Sequence, residues 1–123
     1  ILVTEALSVG YTNHGRVSAV MKNLDLTARN GELVALIGRN GSGKSTLLRT
    51  LVSLQPQLEG NVIVRGRHIA SIDPSELPVL VSFTSTEPFP GHNIKVRDVV
   101  ALGRFPHTNW MGSLADKDVK SVT

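Results

Sequence analysis

Gly38, Gly43, Lys44 and Ser45 stand at the spacing G-x-x-x-x-G-K-[ST] within the run Gly38-Arg39-Asn40-Gly41-Ser42-Gly43-Lys44-Ser45-Thr46. These residue types suit one kind of chemistry, the capture of a chain of phosphates. A di- or triphosphate is a dense anion that needs many donors at short range. Glycines let the backbone curl so that successive N–H groups point inward as a nest. A side chain at Gly41 or Gly43 would block that approach or forbid the dihedrals it needs. Lys44 adds an ammonium for the β- and γ-phosphates, and the Ser45 hydroxyl is a ligand of the type Mg²⁺ takes. Asn40, Ser42 and Thr46 complete the set of polar groups in the loop.

Such a loop has to be held between a strand and a helix. The apolar run Leu33-Val34-Ala35-Leu36-Ile37 precedes it and predicts a buried strand covered on both faces. Leu47, Leu48, Leu51 and Val52 follow at i, i+1, i+4 and i+5 and predict one face of an amphipathic helix that Pro56 ends. That helix would bring its unpaired first N–H groups and the positive end of its dipole to the phosphates.

The rest of the chain supplies the surround. Residues 1–9 are apolar and predict a strand, followed by a polar loop at 10–16 that contains Tyr11. Leu24, Leu26 and Ala28 alternate with polar residues as in a half-exposed strand. Asn30-Gly31 is a hairpin signal that would fold this strand back against 32–37. Gly60 predicts the start of a short strand at 61–64, and Arg65-Gly66-Arg67-His68 a turn. Asp73 and Pro74 predict the start of a helix that Pro78 cuts short, and 79–83 predicts another strand. Beyond a loop at 84–93, Val96, Val99 and Val100 recur at helical spacing up to Gly103. Lys95 is a poor cap, so Asn93 is the alternative cap for that helix. Ser113-Leu114-Ala115-Asp116 would open a last helix.

Composition narrows the function classes. The 123 residues carry 13 basic and 10 acidic side chains, a formal net charge of +3. The basic residues are scattered and not interleaved with aromatics, which argues against a nucleic-acid partner. With no cysteine there is no disulfide framework and no thiolate metal site. No run approaches the roughly 18 apolar residues of a membrane span. No charged-then-apolar leader opens the sequence.

The residues 34–48 around the loop resemble the P-loop region of ABC-transporter ATPase subunits. The core Asn40-Gly41-Ser42-Gly43-Lys44-Ser45-Thr46 is more typical of that family than of P-loop proteins at large. Residues 58–67 resemble the strand and turn that follow the P-loop helix there. The stretch Val99-Val100-Ala101-Leu102-Gly103-Arg104-Phe105-Pro106-His107 is similar to importers of iron–siderophore, haem and cobalamin-type chelates. The resemblance implies an α/β P-loop NTPase fold: an incomplete parallel core sheet, a peripheral antiparallel β subdomain and the start of a helical subdomain. It divides the chain into 1–93, the first part of the ATPase core, and 94–123, the beginning of the helical subdomain. It implies ATP and Mg²⁺ as cofactors, a membrane permease and a second copy of the ATPase as partners, and a place on the cytoplasmic face of the membrane. Tyr11 takes the role of the aromatic residue that stacks on adenine. Phe89 and Phe105 are candidates to touch the permease, with core packing as the alternative.

Two departures and three absences qualify this resemblance. The family usually has a glutamine at Mg²⁺ in the loop after 79–83. This chain has none there, and Glu87 is the nearest group by position, as a metal ligand or as a solvated loop acid. Lys95 replaces the usual Ser or Thr cap. Within residues 1–123 there is no LSGGQ-like signature, no second acidic strand carrying the metal Asp and the general-base Glu, and no switch histidine; His14, His68, His92 and His107 are dispersed. The 123 residues alone are therefore expected to hydrolyse ATP negligibly. The alternative readings are a non-transport ABC ATPase and a P-loop kinase acting on a small metabolite.

Overall fold

The computed structural model describes residues 1–86, 94–104, 106 and 119–120. Two compact units divide the chain, Ile1–Asp73 and Pro74–Thr123.

The first unit is built on a long strand, β1 (Leu2–Asn13). Its end is not the loop expected at 10–16. The turn contracts to His14 and Gly15, at φ 48° and 77°, and the chain returns as β2 (Arg16–Leu24). Positive φ at both central residues matches the right-handed twist of the two strands. Tyr11 thus lies on a strand, opposite Ser18. The half-exposed strand expected over Leu24–Ala28 is split: Leu24 ends β2, and only β3 (Thr27–Ala28) pairs, with Val3 and Leu2. Thr4 holds the break open. Its buried hydroxyl donates to the Leu24 carbonyl at 2.8 Å and accepts from the Leu26 N–H at 2.9 Å.

Asn30-Gly31 does turn. Gly31 sits at φ 76°, and the Glu32 N–H donates to the Arg29 carbonyl at 3.2 Å. No strand follows it. Residues 33–37 carry no ladder among the described residues, and Leu33 and Ile37 are 99% and 90% exposed. The expected hairpin and central strand are therefore absent from the described residues. The physical reason is that a run apolar on both faces is stable as a strand only with neighbours on both edges and layers above and below.

The helix α1 (Lys44–Leu51) begins directly after the loop. Its buried stripe is Thr46, Leu47 and Thr50, whereas Leu48 is exposed. The apolar face expected from Leu47, Leu48, Leu51 and Val52 is thus rotated toward the threonines. Thr50 satisfies its buried hydroxyl by donating to the Thr46 carbonyl at 2.9 Å. The helix ends before Pro56. Ser53 takes φ 60°, and the Leu54 and Ser53 N–H groups donate to the carbonyls of Arg49 and Thr50 at 2.9 and 3.1 Å. That is a Schellman closure with Ser53 in the place glycine usually takes.

The next strand, β4 (Glu59–Val64), runs antiparallel along the other edge of β1, from Leu2↔Val64 to Ser8↔Glu59. It turns at Arg65-Gly66 into β5 (Arg67–His68). The strand order is β2-β1-β4-β5, with β3 also on β1. Between Glu5 and Ser8 the register with β4 shifts, and Ala6 takes φ 45°. The Asp25 carboxylate accepts from the Ala6 N–H at 2.7 Å. Gly60 faces this bulge: a Cβ there would lie 2.3 Å from the Ala6 carbonyl oxygen. Leu7, Val9, Leu47, Val62, Val64, Ile69 and Ile72 form the core. A 3₁₀ turn, Ile69–Ser71, carries the last pair into place.

The second unit departs from expectation at its start. Residues 74–76 turn without forming the helix expected at Asp73, and α2 (Leu77–Leu80) follows. Pro78 lies in the first turn of α2, where its missing N–H has no partner to lose, so it opens the helix instead of cutting it. Val79 and Leu80 are thereby helical, and the strand expected at 79–83 does not form; 81–83 pair with no strand among the described residues. The helix α3 (Val96–Leu102) starts from Lys95, which makes no side-chain cap bond, and closes at Gly103. Asn93 as cap, Glu87, Phe89, His92, Phe105, His107 and the helix opening at Ser113 lie outside the described residues.

Candidate phosphate-binding site

The loop expected to cradle phosphates is shaped for it by two glycines. Gly41 and Gly43 take φ 79° and 92°, which side-chain-bearing residues adopt only under strain. A Cβ on Gly43 would also lie 2.3 Å from Val20 Cγ1. Gly43 therefore allows β2 to approach the loop where α1 starts. The Ser42 N–H donates to the Arg39 carbonyl at 3.2 Å, closing the turn. Lys44 curls back over it, and its ammonium donates to the carbonyls of Gly38 and Arg39, each at 2.7 Å.

A pocket of about 320 Å³ opens between this loop and the β1–β2 hairpin. Tyr11, Val20, Asn40, Gly41, Gly43, Lys44, Ser45 and Thr46 line it. Tyr11 is 44% exposed, and its hydroxyl shares a 2.7 Å hydrogen bond with that of buried Thr46. The donor set fits an anion with an aromatic base attached. One end offers an ammonium, hydroxyls, an amide and backbone N–H groups with no carboxylate among the lining residues. The other offers a phenol ring and a valine.

Of the residues expected from sequence, Tyr11, Asn40, Gly41, Gly43, Lys44, Ser45 and Thr46 come together here. Gly38 and Ser42 are not among the lining residues, although the Gly38 carbonyl accepts from Lys44. Val20 belongs to the pocket and was not expected. Its only signal is membership of β2, and that strand is itself hidden in the sequence. A larger groove, of about 560 Å³, lies along the sheet by Ser8, Lys22 and Glu59; it has no glycine-lined donors. Among the described residues no cluster of three or more His, Cys, Asp or Glu is placed to hold a metal ion.

Residues 21–122 match the family described as ABC transporter. The chain belongs to the ABC transporter family. It is 37% identical over 122 residues to an ABC transporter ATP-binding protein of Methanocaldococcus jannaschii, a match covering 99% of this chain and 41% of that protein. Over 119 residues it is 34% identical to the ferric enterobactin transport ATP-binding protein of Escherichia coli, covering 97% of this chain and 42% of the other. A solved ABC transporter ATP-binding protein of Pyrococcus furiosus superposes with a TM-score of 0.66 at 29% identity, over 82% of this chain and 46% of that one. The α/β P-loop fold class read from the sequence is the fold of that structure. The chain spans less than half the length of each of these relatives.

The pocket's polar end lies on the loop and the first turn of α1, and its aromatic end on β1.

Proposed function

We propose that this ABC chain carries the ATP-binding half-site of an importer's ATPase subunit, serving uptake of iron–siderophore or related metal chelates. The observation that carries the reading is the pocket that brings Tyr11 beside the donors of the phosphate loop. The substrate class is supported by the relative whose name specifies ferric enterobactin transport and by the resemblance of 99–107.

Lys44 and the loop N–H groups would hold the phosphates, Ser45 would take Mg²⁺, and the Tyr11 ring would stack on adenine. MgATP, when bound, supplies a transferable phosphoryl group. Glu87 is the group we assign to the metal or its water in place of the family's glutamine. Residues 1–93 then belong to the ATPase core and 94–123 to the helical subdomain. The partners would be a membrane permease, touched by the segment 84–106, and a second copy of the subunit closing over ATP. The place of work would be the inner face of the cell membrane. No helix of the described residues is long and apolar enough to cross a membrane, so the permease would supply the crossing.

The test is uptake of a labelled ferric siderophore by cells whose own copy of this subunit carries Lys44→Ala. Uptake should fall to the level of a deletion strain. Undiminished uptake would overturn the transport reading. Loss of ATP binding without loss of uptake would point to a non-transport ABC ATPase.

A further inference from the structure

Two hydrogen bonds tie the strand around Tyr11 to the helix of the phosphate loop. The Tyr11 hydroxyl meets the Thr46 hydroxyl at 2.7 Å. One residue earlier, the Gly10 carbonyl accepts a hydrogen bond from the Gln55 side-chain amide. Both ties lead back to α1. Thr46 lies in its first turn and is 4% exposed. Gln55 follows the Schellman closure, and its own N–H donates to the Arg49 carbonyl at 3.3 Å. One bond acts on the peptide group that leads into Tyr11, the other on the tip of its side chain. Gln55 fixes the backbone from which the ring springs, and Thr46 fixes the far end of the ring. With the backbone and the hydroxyl both anchored, χ1 is held and the axis of the ring is fixed in direction, so the plane can turn only about that axis.

That arrangement bears on binding. A ring that stacks on a base is useful in one plane only, and ordering it after the ligand arrives costs affinity. Here most of that ordering, the position of the ring and the direction of its axis, is already present. We propose that Thr46 and Gln55 are positioning residues for the base-stacking platform. They hold Tyr11 to α1, so that the ring and the phosphate donors form one preformed unit. This rests on the reading of the pocket as an ATP site. The two residues differ in visibility: Thr46 sits inside the loop motif, whereas Gln55 belongs to no motif and is found only from the structure.

The test separates base from phosphate. ATP and inorganic tripolyphosphate are titrated calorimetrically into the chain and into its Tyr11→Phe and Gln55→Leu variants. The chain should bind ATP more tightly than tripolyphosphate. Each variant should weaken ATP by about two- to tenfold, the worth of one hydrogen bond, and leave tripolyphosphate unchanged. Tyr11→Phe keeps the ring, so its effect reports the tie and not the stacking surface. An unchanged ATP affinity in both variants overturns the proposal. Equal loss of both ligands overturns it as well, since the residues would then serve the fold alone. If the unaltered chain binds tripolyphosphate as tightly as ATP, it has no base platform and the proposal fails with the loop reading intact. Binding of neither ligand overturns the ATP-site reading itself.

Discussion

Lys44 directs its ammonium at two carbonyls of its own loop, Gly38 and Arg39, at 2.7 Å each. Carbonyl oxygens are neutral acceptors, and a phosphate oxygen is a charged one. A hydrogen bond between charged partners is worth roughly twice a neutral pair, so phosphate competes well for this ammonium. In the proposed site the loop carbonyls would hold the lysine ready for the anion. Lys44→Ala should therefore weaken ATP binding by about 1.5–3 kcal/mol, roughly ten- to 150-fold in Kd. Equilibrium titration of MgATP into the variant checks this. An affinity within twofold of the unaltered chain would remove Lys44 from the phosphate site.

The elements explain how much of this could be seen beforehand. The loop and the start of α1 are legible because glycine, lysine and hydroxyl residues at that spacing leave few other uses. The hairpin that completes the pocket is not. The polar run from Thr12 to Arg16 reads as a loop, but ladder pairing of Thr12 with Val17 and Asn13 with Arg16 leaves only His14 and Gly15 to turn. Tyr11 is thus placed beside the loop by a strand that local propensity hides, and Val20 goes unseen with it. Residues 33–37 show the opposite failure. Their apolar pattern reads as a central strand, but pattern alone does not supply the neighbours. The bulge in β1 was also illegible, since it depends on Asp25, Ala6 and Gly60 meeting across three segments. It yields a test at this scale. Gly60 sits at φ 78°, and an added Cβ would lie 2.3 and 2.4 Å from the carbonyl oxygens of Ala6 and Glu5. Those are backbone atoms within a sheet and have little room to give. Gly60→Ala should destabilise the first unit by more than about 2 kcal/mol, read as a lowered urea midpoint. An unshifted midpoint would mean that the bulge is not fixed by this contact.

At the scale of the whole molecule, two properties follow from what the 123 residues hold. The first is association. Leu33, Val34, Leu36 and Ile37 are all exposed, and a contiguous apolar stretch with unpaired backbone groups is a template for sticking to another chain. Sedimentation velocity at tens of micromolar should show self-association that Leu33→Lys with Ile37→Lys reduces; equal association in both would acquit this run. The second is the separation of binding from turnover. Phosphoryl transfer needs several groups placed at once: donors on the phosphates, a metal, and a base or orienter for the attacking water. Residues 1–123 hold the donors but no signature segment and no second acidic strand. The chain should therefore bind MgATP yet release phosphate no faster than buffer does, in an assay sensitive to one turnover per hour. Phosphate release at the rate of a complete ABC ATPase would mean that these residues supply the water-orienting group themselves. Glu87→Gln would then be the first variant to make, since Glu87 is the one acid among residues 84–93.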